Sequence, residues 1–432
     1  MDKIRVMLPE KFDLVVGDTF QLFYRGVIEA PNPYCYDILA NCEKGRNCPR
    51  YFEFLPEEPG QYKLTISVFG ADKSLLGKGE TILDVAQPKA PGKPLNILCM
   101  GSSTTAGGEW AGEAFRRLTA TDGAPCGLGF ENIRFIGTCQ KGDVGIEGYG
   151  GWRWDTFLST SVGSMWVVSP GNGKTSEDQH SLWKDENGNI WQLETLAKAY
   201  LKFNRYLQHA GERPVSGQLT HYKNAVNQET IQIKSSSEEN KSPYYDEKTG
   251  KIDFHSYCQR NGFDRIDVVY IMLGGNGLAE SYQAGIPLEQ HCKSNVEKGK
   301  KLVEFLREAY PDVKVRIMGL IPPSAIGGMG ASYGASMPYC DYYGYQRYVL
   351  MLNNAYEEWT LEPEYRDFMG FVNISGQFDA ENNMPGTERP VNTRSTKVEI
   401  VGINGIHPLY EGYMQVADAV YRNMVHICKD SK

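Results

Sequence analysis

The chain has 432 residues, of which 41% are hydrophobic and 23% charged, and its formal net charge is −8. This length allows a sizeable core and more than one domain, whereas an acidic balance without a basic stripe argues against nucleic acid as a partner. No segment has the roughly 18 apolar residues of a membrane span, so we expect no membrane insertion. Residues 1–6 lack the apolar region of a signal peptide, so we expect a cytoplasmic protein, or an exported one whose signal has been removed.

The first 87 residues have the pattern of a small all-β domain. Their strand-like runs are separated by turn residues and cover 20–24, 62–68 and 81–85. We therefore predict an immunoglobulin-like β-sandwich over residues 1–87. The proline-rich segment 88–94 predicts a linker, and residues 95–432 a second domain.

The second domain alternates between apolar strands and helical segments, which is the pattern of a parallel α/β sheet. The predicted strands lie near residues 95–100, 131–137, 266–273, 313–320 and 368–373. The predicted long helices cover residues 288–310 and 342–359. We predict a flavodoxin-like doubly wound sheet, an α/β/α sandwich, whose first and third strands are neighbours at the topological switch point.

The connection between the second and third predicted strands is far longer than an ordinary crossover. It predicts an insertion with structure or function of its own at about residues 155–262. Five tryptophans crowd this part of the chain: Trp152, Trp154, Trp166, Trp183 and Trp191. Aromatic faces suit stacking on sugar rings, but tryptophan is as often a packing centre. Of the five, we expect Trp152 to be the substrate-binding residue, because it follows Gly151.

A serine-rich turn follows the first strand of the second domain. The apolar run 95–100 ends in the sequence GSSTT at 101–105, and a helical pattern begins at Glu109. In open α/β sheets ligands bind at the carboxyl ends of the strands, and a nearby helix N-terminus favours developing negative charge. Ser103 is therefore well placed to attack a carbonyl carbon. Serines also cap helices routinely, so this turn by itself is more typical of a cap.

Three further motifs follow in chain order. Gly151 ends the run GYGG after the second strand, Asn276 lies in GGNG after the third, and His407 lies in GIHP before a final helical pattern. Each has an ordinary alternative, because Gly-Gly and Asn-Gly are turn sequences and a histidine before proline is commonly a loop residue. With Ser103, Gly151, Asn276 and His407 in this order, the chain resembles the SGNH (GDSL-type) hydrolases over about residues 95–425.

The resemblance implies a nucleophile at Ser103 and a general base at His407. It also implies an oxyanion hole made by the backbone N–H groups of Ser103 and Gly151 and by the side-chain amide of Asn276. Gly275, next to this amide, and Trp152 are the predicted substrate-binding residues. No metal and no cofactor is implied, and the seven histidines show no metal-ligand spacing.

Three positions depart from the family pattern. Ser102 stands where the first motif usually has aspartate, which matters little because that aspartate is not a triad member. Gly277 stands where the third motif often has aspartate, so a contact that braces the loop is lost. Asn404 stands where the family has the aspartate three residues before His407.

The change at Asn404 bears directly on the predicted base. An aspartate holds the imidazole in one tautomer and stabilises the imidazolium, whereas a neutral amide can only orient the ring through its carbonyl oxygen. Ser103 and His407 would then act as a dyad. Three orienting groups remain open: the Asn404 side chain, a backbone carbonyl in the 401–404 loop, or an acid from elsewhere, with Glu399 nearest in sequence.

The sequence thus predicts a serine esterase that acts on carbohydrate-linked esters, most plausibly O-acetyl groups, through an acyl-enzyme. Its expected partner is a small-molecule or oligosaccharide ester. Two alternatives stay open. One is an acyl hydrolase of the lipase or thioesterase type, which would prefer long acyl chains. The other is a catalytically silent glycan-binding protein, which would bind oligosaccharide without releasing acetate.

Overall fold

The computed structural model describes residues 4–160, 242–329 and 342–431, together with the backbone of six short strands between residues 182 and 234. The strands are β1 Lys11–Val15, β2 Phe20–Phe23, β3 Asp37–Asn41, β4 Arg46–Asn47, β5 Tyr51–Phe54, β6 Gly60–Phe69, β7 Leu75–Ala86, β8 Leu95–Gly101, β9 Ile133–Ile136, β10 Cys139–Lys141, β11 Val144–Gly148, β12 Leu182–Lys184, β13 Ile190–Leu193, β14 Lys202–Phe203, β15 Glu212–Arg213, β16 Leu219–Asn224, β17 Thr230–Lys234, β18 Tyr245–Asp246, β19 Lys251–Ile252, β20 Val268–Met272, β21 Lys314–Met318, β22 Met369–Val372, β23 Gly386–Pro390 and β24 Val398–Gly402.

The described helices are α1 Ser103–Ala106, α2 Glu109–Thr119, α3 Trp154–Phe157, α4 Phe254–Asn261, α5 Leu278–Gln283, α6 Leu288–Ala309, α7 Tyr342–Leu361 and α8 Tyr410–Asp430. Short 3₁₀ turns cover Tyr24–Gly26, Pro33–Cys35 and Ser375–Gln377. Within the described ranges, no helix is both long enough and apolar enough to cross a membrane.

The N-terminal strands form two sheets around one hydrophobic cluster. One sheet has the order β1-β7-β6-β3 and the other the order β2-β5-β4. Inward-facing residues alternate along β6, where Leu64, Ile66 and Val68 are fully buried and their neighbours are not, as expected for a strand with one solvated face. The pairs are antiparallel except for β1 with β7. The predicted strands are present, and the immunoglobulin-like topology stays a prediction.

The second sheet has the predicted flavodoxin-like order. Its parallel strands run β9-β8-β20-β21-β22, so that the first strand of this sheet lies between the second and the third. Strand β11 adds to the carboxyl end of β8, and β10 pairs with β11. All seven residues of β8 are buried, because helices cover both faces of the sheet.

The two faces of this sheet are covered by different helices. Helices α2 and α8 cover one face, where Trp110 and Val420 share a buried cluster with Tyr270 of β20. Helix α7 lies on the other face, where the Asn353 side chain accepts a hydrogen bond from the Leu320 N–H at 2.9 Å. This doubly wound packing leaves the carboxyl ends of the strands for a site.

The chain divides into two compact units, and the sandwich belongs to the same unit as the sheet. This unit comprises residues 1–150, 263–299 and 310–432. Within it, Asp18 after β1 makes ion pairs with Arg117 of α2 at 2.6 Å and with Arg422 of α8 at 2.5 Å. These buried contacts tie the sandwich to the helices that cover the sheet. The boundary predicted at residues 88–94 stays a prediction.

The other unit comprises residues 151–262 and 300–309, which include the predicted insertion. Strands β12 and β13 form an antiparallel hairpin in which Trp183 and Trp191 are register partners, and β16 and β17 extend this sheet. Closer to α4, the ring of Tyr244 stacks on Phe254 at 4.1 Å and contacts Tyr257 edge-on at 4.9 Å. These ring contacts form an aromatic cluster between Tyr244 and α4.

Candidate active site

Ser103 lies where β8 ends and α1 begins. Gly101, the last strand residue, has no room for a side chain, because a Cβ there would lie 2.1 Å from the Thr105 hydroxyl oxygen. The Ser102 carbonyl accepts hydrogen bonds from the N–H groups of Thr105 and Ala106, at 3.0 Å each. The Ser102 side chain caps no helix N–H. This tight strand-to-helix turn places Ser103 at the carboxyl edge of the sheet.

His407 lies in the loop between β24 and α8. Backbone hydrogen bonds join this loop to the segment after β21, from the Ser324 N–H to the Gly405 carbonyl at 3.0 Å and from the Gly402 N–H to the Ile326 carbonyl at 2.8 Å. Gly328 has a φ of +101°, which favours glycine, and a Cβ there would lie 2.8 Å from the Asn404 carbonyl carbon. The loop is therefore fixed against a neighbouring segment of the same sheet edge.

The structure brings Ser103 and His407 together, although 304 residues separate them. The Ser103 hydroxyl oxygen lies 2.8 Å from His407 Nε2, which is hydrogen-bond distance. Both residues are half-buried. Burial lowers the pKa of His407 below its ordinary value of 6.5, so the imidazole is neutral near pH 7. A neutral imidazole beside a serine hydroxyl can act as a general base.

The Asn404 side chain contacts His407, but with its nitrogen and not with its oxygen. The oxygen accepts the backbone N–H groups of Ile406 and His407, at 3.0 Å each, and this fixes the orientation of the amide. The amide nitrogen then lies 3.4 Å from His407 Nδ1. The expectation that the Asn404 carbonyl oxygen orients the ring is therefore wrong, because two backbone donors already bind that oxygen.

The contact of the Asn404 amide nitrogen with Nδ1 bears on the tautomer of His407. An amide N–H beside Nδ1 favours an Nδ1 without a proton, which leaves the proton on Nε2, facing Ser103. A general base needs the opposite tautomer, with a lone pair on Nε2. In the described part of the chain, neither Glu399 nor a backbone carbonyl hydrogen-bonds to the His407 ring. The Asn404 amide, as oriented here, therefore does not favour the tautomer that a general base needs.

Replacing Asn404 by aspartate is expected to raise kcat by about tenfold or more, which is about 1.4 kcal/mol or more of transition-state stabilisation. One carboxylate oxygen keeps the two backbone N–H groups, and the other accepts a hydrogen bond from Nδ1–H of His407. The added negative charge raises the pKa of His407. The acid limb of the pH–rate profile, expected below pH 6.5 in the unchanged protein, moves to higher pH. Profiles of kcat/KM for the two proteins measure this shift.

The Asn404→Ala variant is the control for this prediction. It removes both the amide donor and the acceptor of the loop N–H groups. We expect a loss far smaller than the roughly 10⁴-fold loss that follows neutralisation of a triad aspartate. If Asn404→Ala is as damaging as His407→Ala in a folded protein, Asn404 is a full catalytic partner and the dyad is refuted.

The loop that carries Asn276 lies beside the Ser103 turn. Met272 at the end of β20 pairs with Gly101 at the end of β8, and the Thr104 hydroxyl lies 3.3 Å from the Met272 sulfur. The loop turns through two left-handed glycines, Gly274 at φ +114° and Gly277 at φ +92°. The φ of Gly277 is one that favours glycine. Adjacent strand ends therefore carry the predicted nucleophile and the predicted amide donor.

Gly151 and Trp152 belong to the second compact unit. Gly151 has a φ of +77°, which favours glycine. Trp152 is half-buried, and its ring contacts Phe157 edge-on at 4.9 Å. Trp154 is fully buried, so it is a packing residue and not a stacking surface. The side chains of Trp166, Trp183 and Trp191 lie outside the described residues.

Sequence reasoning missed a buried carboxylate close to the Ser103 turn. Glu147 in β11 is fully buried and accepts hydrogen bonds from the Thr138 N–H at 2.8 Å and from the Tyr149 hydroxyl. The Tyr149 N–H donates to the Gly101 carbonyl at 3.0 Å. Glu147 thus holds the start of the loop that leads to Gly151. A glutamate in the otherwise apolar run VGIEG was the signal for it.

One group of described side chains has the composition of a metal site, at the contact of the sandwich with α8. The ligand atoms of Asp13, Asp84 and His426 lie within 4.8 Å of one another. The Lys11 ammonium nitrogen lies 2.7 Å from an Asp13 oxygen and 3.2 Å from an Asp84 oxygen. The group is therefore already an ion-pair cluster, in which Lys11 supplies the positive charge.

Comparisons with known proteins place the chain near carbohydrate esterases of solved structure. A family 3 carbohydrate esterase of Clostridium thermocellum matches with 13% identity over 78% of this chain and 98% of that one, at a TM-score of 0.38. A carbohydrate esterase family 3 protein of Talaromyces cellulolyticus matches with 13% identity over 78% and 100%, at a TM-score of 0.34. A family 2 carbohydrate esterase with a carbohydrate-binding domain, from Corynascus thermopiles, matches with 10% identity over 99% and 93%, at a TM-score of 0.30.

No protein-family model and no curated protein matches the sequence. The structure itself shows a parallel α/β/α sheet with a serine–histidine pair at its carboxyl edge. The neighbouring positions of β8 and β20 and the contact of Ser103 with His407 agree with what was expected from the sequence.

Proposed function

We propose that the chain is a serine esterase that hydrolyses O-acetyl groups on carbohydrates through an acyl-enzyme intermediate. The observation that carries this proposal is the 2.8 Å contact between the Ser103 hydroxyl and His407 Nε2 at the carboxyl edge of the sheet. A helix-capping role for Ser103 does not account for this contact, because the hydroxyl faces the imidazole. A neutral histidine and a serine hydroxyl in contact are the minimum for nucleophilic acyl transfer.

The reaction follows in two balanced steps. His407 reacts in the tautomer that carries its proton on Nδ1. Ser103 Oγ attacks the ester carbonyl carbon while the free Nε2 takes the hydroxyl proton, and the tetrahedral intermediate carries its negative charge on the former carbonyl oxygen. This intermediate expels the sugar alcohol, which takes the proton from His407 and leaves acetyl-Ser103. A water molecule then gives a proton to His407 and attacks the acyl group, and the acyl–Oγ bond breaks as Ser103 Oγ takes that proton back from His407, releasing acetic acid.

In this proposal, three donors stabilise the tetrahedral oxyanion: the N–H groups of Ser103 and Gly151 and the side-chain amide of Asn276. The adjacency of β8 and β20 supports the pairing of Ser103 with Asn276. Backbone and amide donors are well suited to this task, because they are uncharged and fixed before the reaction begins.

Carbohydrate acetate is the proposed substrate class. The half-buried ring of Trp152 offers an aromatic surface of the kind that stacks on sugars. The Ser103–His407 contact supports an enzyme over a catalytically silent glycan-binding protein, since such a protein needs no serine hydroxyl beside an imidazole.

One observation favours the second candidate, an acyl hydrolase for longer chains. Large apolar side chains are exposed on the β23–β24 hairpin and on both sides of His407: Val391, Val398, Ile400, Ile403, Leu409 and Tyr410. Exposed apolar side chains close to a site suit the binding of an acyl chain.

A chain-length series of esters distinguishes these candidates. Among simple esters, we expect kcat/KM to be highest for acetate and to fall steadily towards palmitate. Acetylated oligosaccharides should have a higher kcat/KM than simple acetate esters. The Ser103→Ala protein measures the background hydrolysis. Preference for palmitate establishes the long-chain hydrolase instead, and oligosaccharide binding without acetate release establishes the silent binding protein.

A further inference from the structure

The loop that carries Asn276 rests on two buried tyrosines of α7. The Tyr348 hydroxyl donates a hydrogen bond to the Gly274 carbonyl, and the Tyr356 hydroxyl donates one to the Leu273 carbonyl at 3.0 Å. Both tyrosines are fully buried. Two successive carbonyls after β20 are therefore bound by side chains of α7. These hydrogen bonds fix the path of the loop backbone.

The contact leaves no room for another residue at position 274. Tyr348, Leu352 and Tyr356 recur at intervals of four, so they form one stripe along α7. A Cβ on Gly274 would lie 2.6 Å from both the Leu352 side chain and the Tyr356 hydroxyl oxygen. The φ of +114° at Gly274 is also one that side chains rarely adopt. Helix α7 and this glycine therefore fix one backbone conformation between them.

The hydrogen bond from Tyr348 also orients the next peptide group. A trans peptide is planar, and its N–H points opposite to its C=O. Because the Gly274 carbonyl points at Tyr348, the Gly275 N–H points away from α7. Across residues 4–160, 242–329 and 342–431, no acceptor forms a hydrogen bond with this N–H. The side of the loop away from α7 thus presents a backbone donor directly before Asn276.

We propose that Tyr348 is a positioning residue of the oxyanion hole, because its bond to Gly274 fixes the backbone from which Asn276 projects. This inference rests on the proposed function, and it deepens it by naming a residue that touches no substrate. Burial raises the pKa of Tyr348 well above its ordinary value, so its hydroxyl stays a donor over any practical pH range.

The Tyr348→Phe variant tests the proposal, because it removes a single hydroxyl and keeps the ring. We expect kcat on an acetate ester to fall about tenfold, less than the roughly 10²-fold or larger loss for removing an oxyanion donor itself, with KM little changed. The shape of the pH–rate profile should not change. If Tyr348→Phe does not fold, Tyr356→Phe removes the neighbouring donor and serves as the second variant.

Tyr270 offers a matched control on the adjoining strand. It is also fully buried, and its hydroxyl donates to the Asn423 side chain at 2.6 Å, on the face covered by α8. Tyr270→Phe should lower the melting temperature without lowering kcat. Equal losses of kcat in Tyr348→Phe and Tyr270→Phe would reveal a general effect on the fold and overturn the proposal.

A double-mutant cycle with Asn276 tests the positioning role of Tyr348 separately from the oxyanion hole. If Tyr348 acts through Asn276, Tyr348→Phe should have little further effect on kcat in an Asn276→Ala background. Independent, additive losses overturn the positioning role. If Asn276→Ala lowers kcat but Tyr348→Phe behaves like Tyr270→Phe, the positioning role alone fails. If Asn276→Ala has no effect on kcat, the oxyanion hole of the proposed function fails, and the positioning role fails with it.

Discussion

Replacing Ser103 by alanine is expected to abolish ester hydrolysis above the background rate, with a loss of kcat of up to about 10⁶-fold, the scale seen when the serine of a complete triad is removed. The Ser103 hydroxyl is the atom that would form the acyl bond, and its 2.8 Å contact with His407 Nε2 is the means of its activation. His407→Ala should cost about as much, and the double variant little more, because the two residues act as a unit. Acetate release by the purified proteins measures these losses.

Ser102→Ala is the matched control for this prediction. Ser102 is the neighbouring, buried serine, and its side chain makes no capping bond. Its removal should leave kcat near that of the unchanged protein, and thermal melting should show that both serine variants are folded. Undiminished acetate release by folded Ser103→Ala would show that another residue is the nucleophile.

The position of Ser103 beside the Asn276 loop was predictable because it follows from strand order. Parallel strands end at the same edge of a sheet, and the flavodoxin-like order makes β8 and β20 neighbours. Apolar runs in the sequence therefore place Ser103 beside the Asn276 loop before any side chain is located. The location of His407 required the family resemblance, because no periodicity connects a late loop with an early turn.

The orientation of Asn404 was not predictable from the sequence. An asparagine three residues before a histidine can present either end of its amide to the ring. Which end it presents depends on the backbone N–H groups of Ile406 and His407, which bind the oxygen only in the folded loop. Sequence pattern gives the residue types at a site, whereas competition among donors for one acceptor is decided by tertiary structure.

The residues that support the site could not be predicted from the sequence, for a related reason. Tyr348 and Tyr356 lie in a predicted helix, where buried tyrosines are ordinarily core residues. Their hydroxyls gain a role only because the backbone after β20 passes within hydrogen-bond distance. Likewise, Asp18 joins the sandwich to α2 and α8 through arginines that are about 100 and 400 residues away in sequence. Contacts of this range leave no local signal.

Replacing Asn276 by alanine is the second prediction with a large expected effect. We expect kcat to fall by about 10² to 10³-fold, or about 2.7–4 kcal/mol, the loss typical of removing one oxyanion donor. KM should change little, because the amide meets a full negative charge only in the transition state. Asn276→Asp keeps the shape of the side chain but replaces the donor with a negative charge, so its kcat should fall further. Steady-state kinetics on an acetate ester compare the two variants with the unchanged protein. An Asn276→Ala protein that turns over normally but binds substrate poorly would instead make Asn276 a specificity residue, and the oxyanion hole would then have to be built without it.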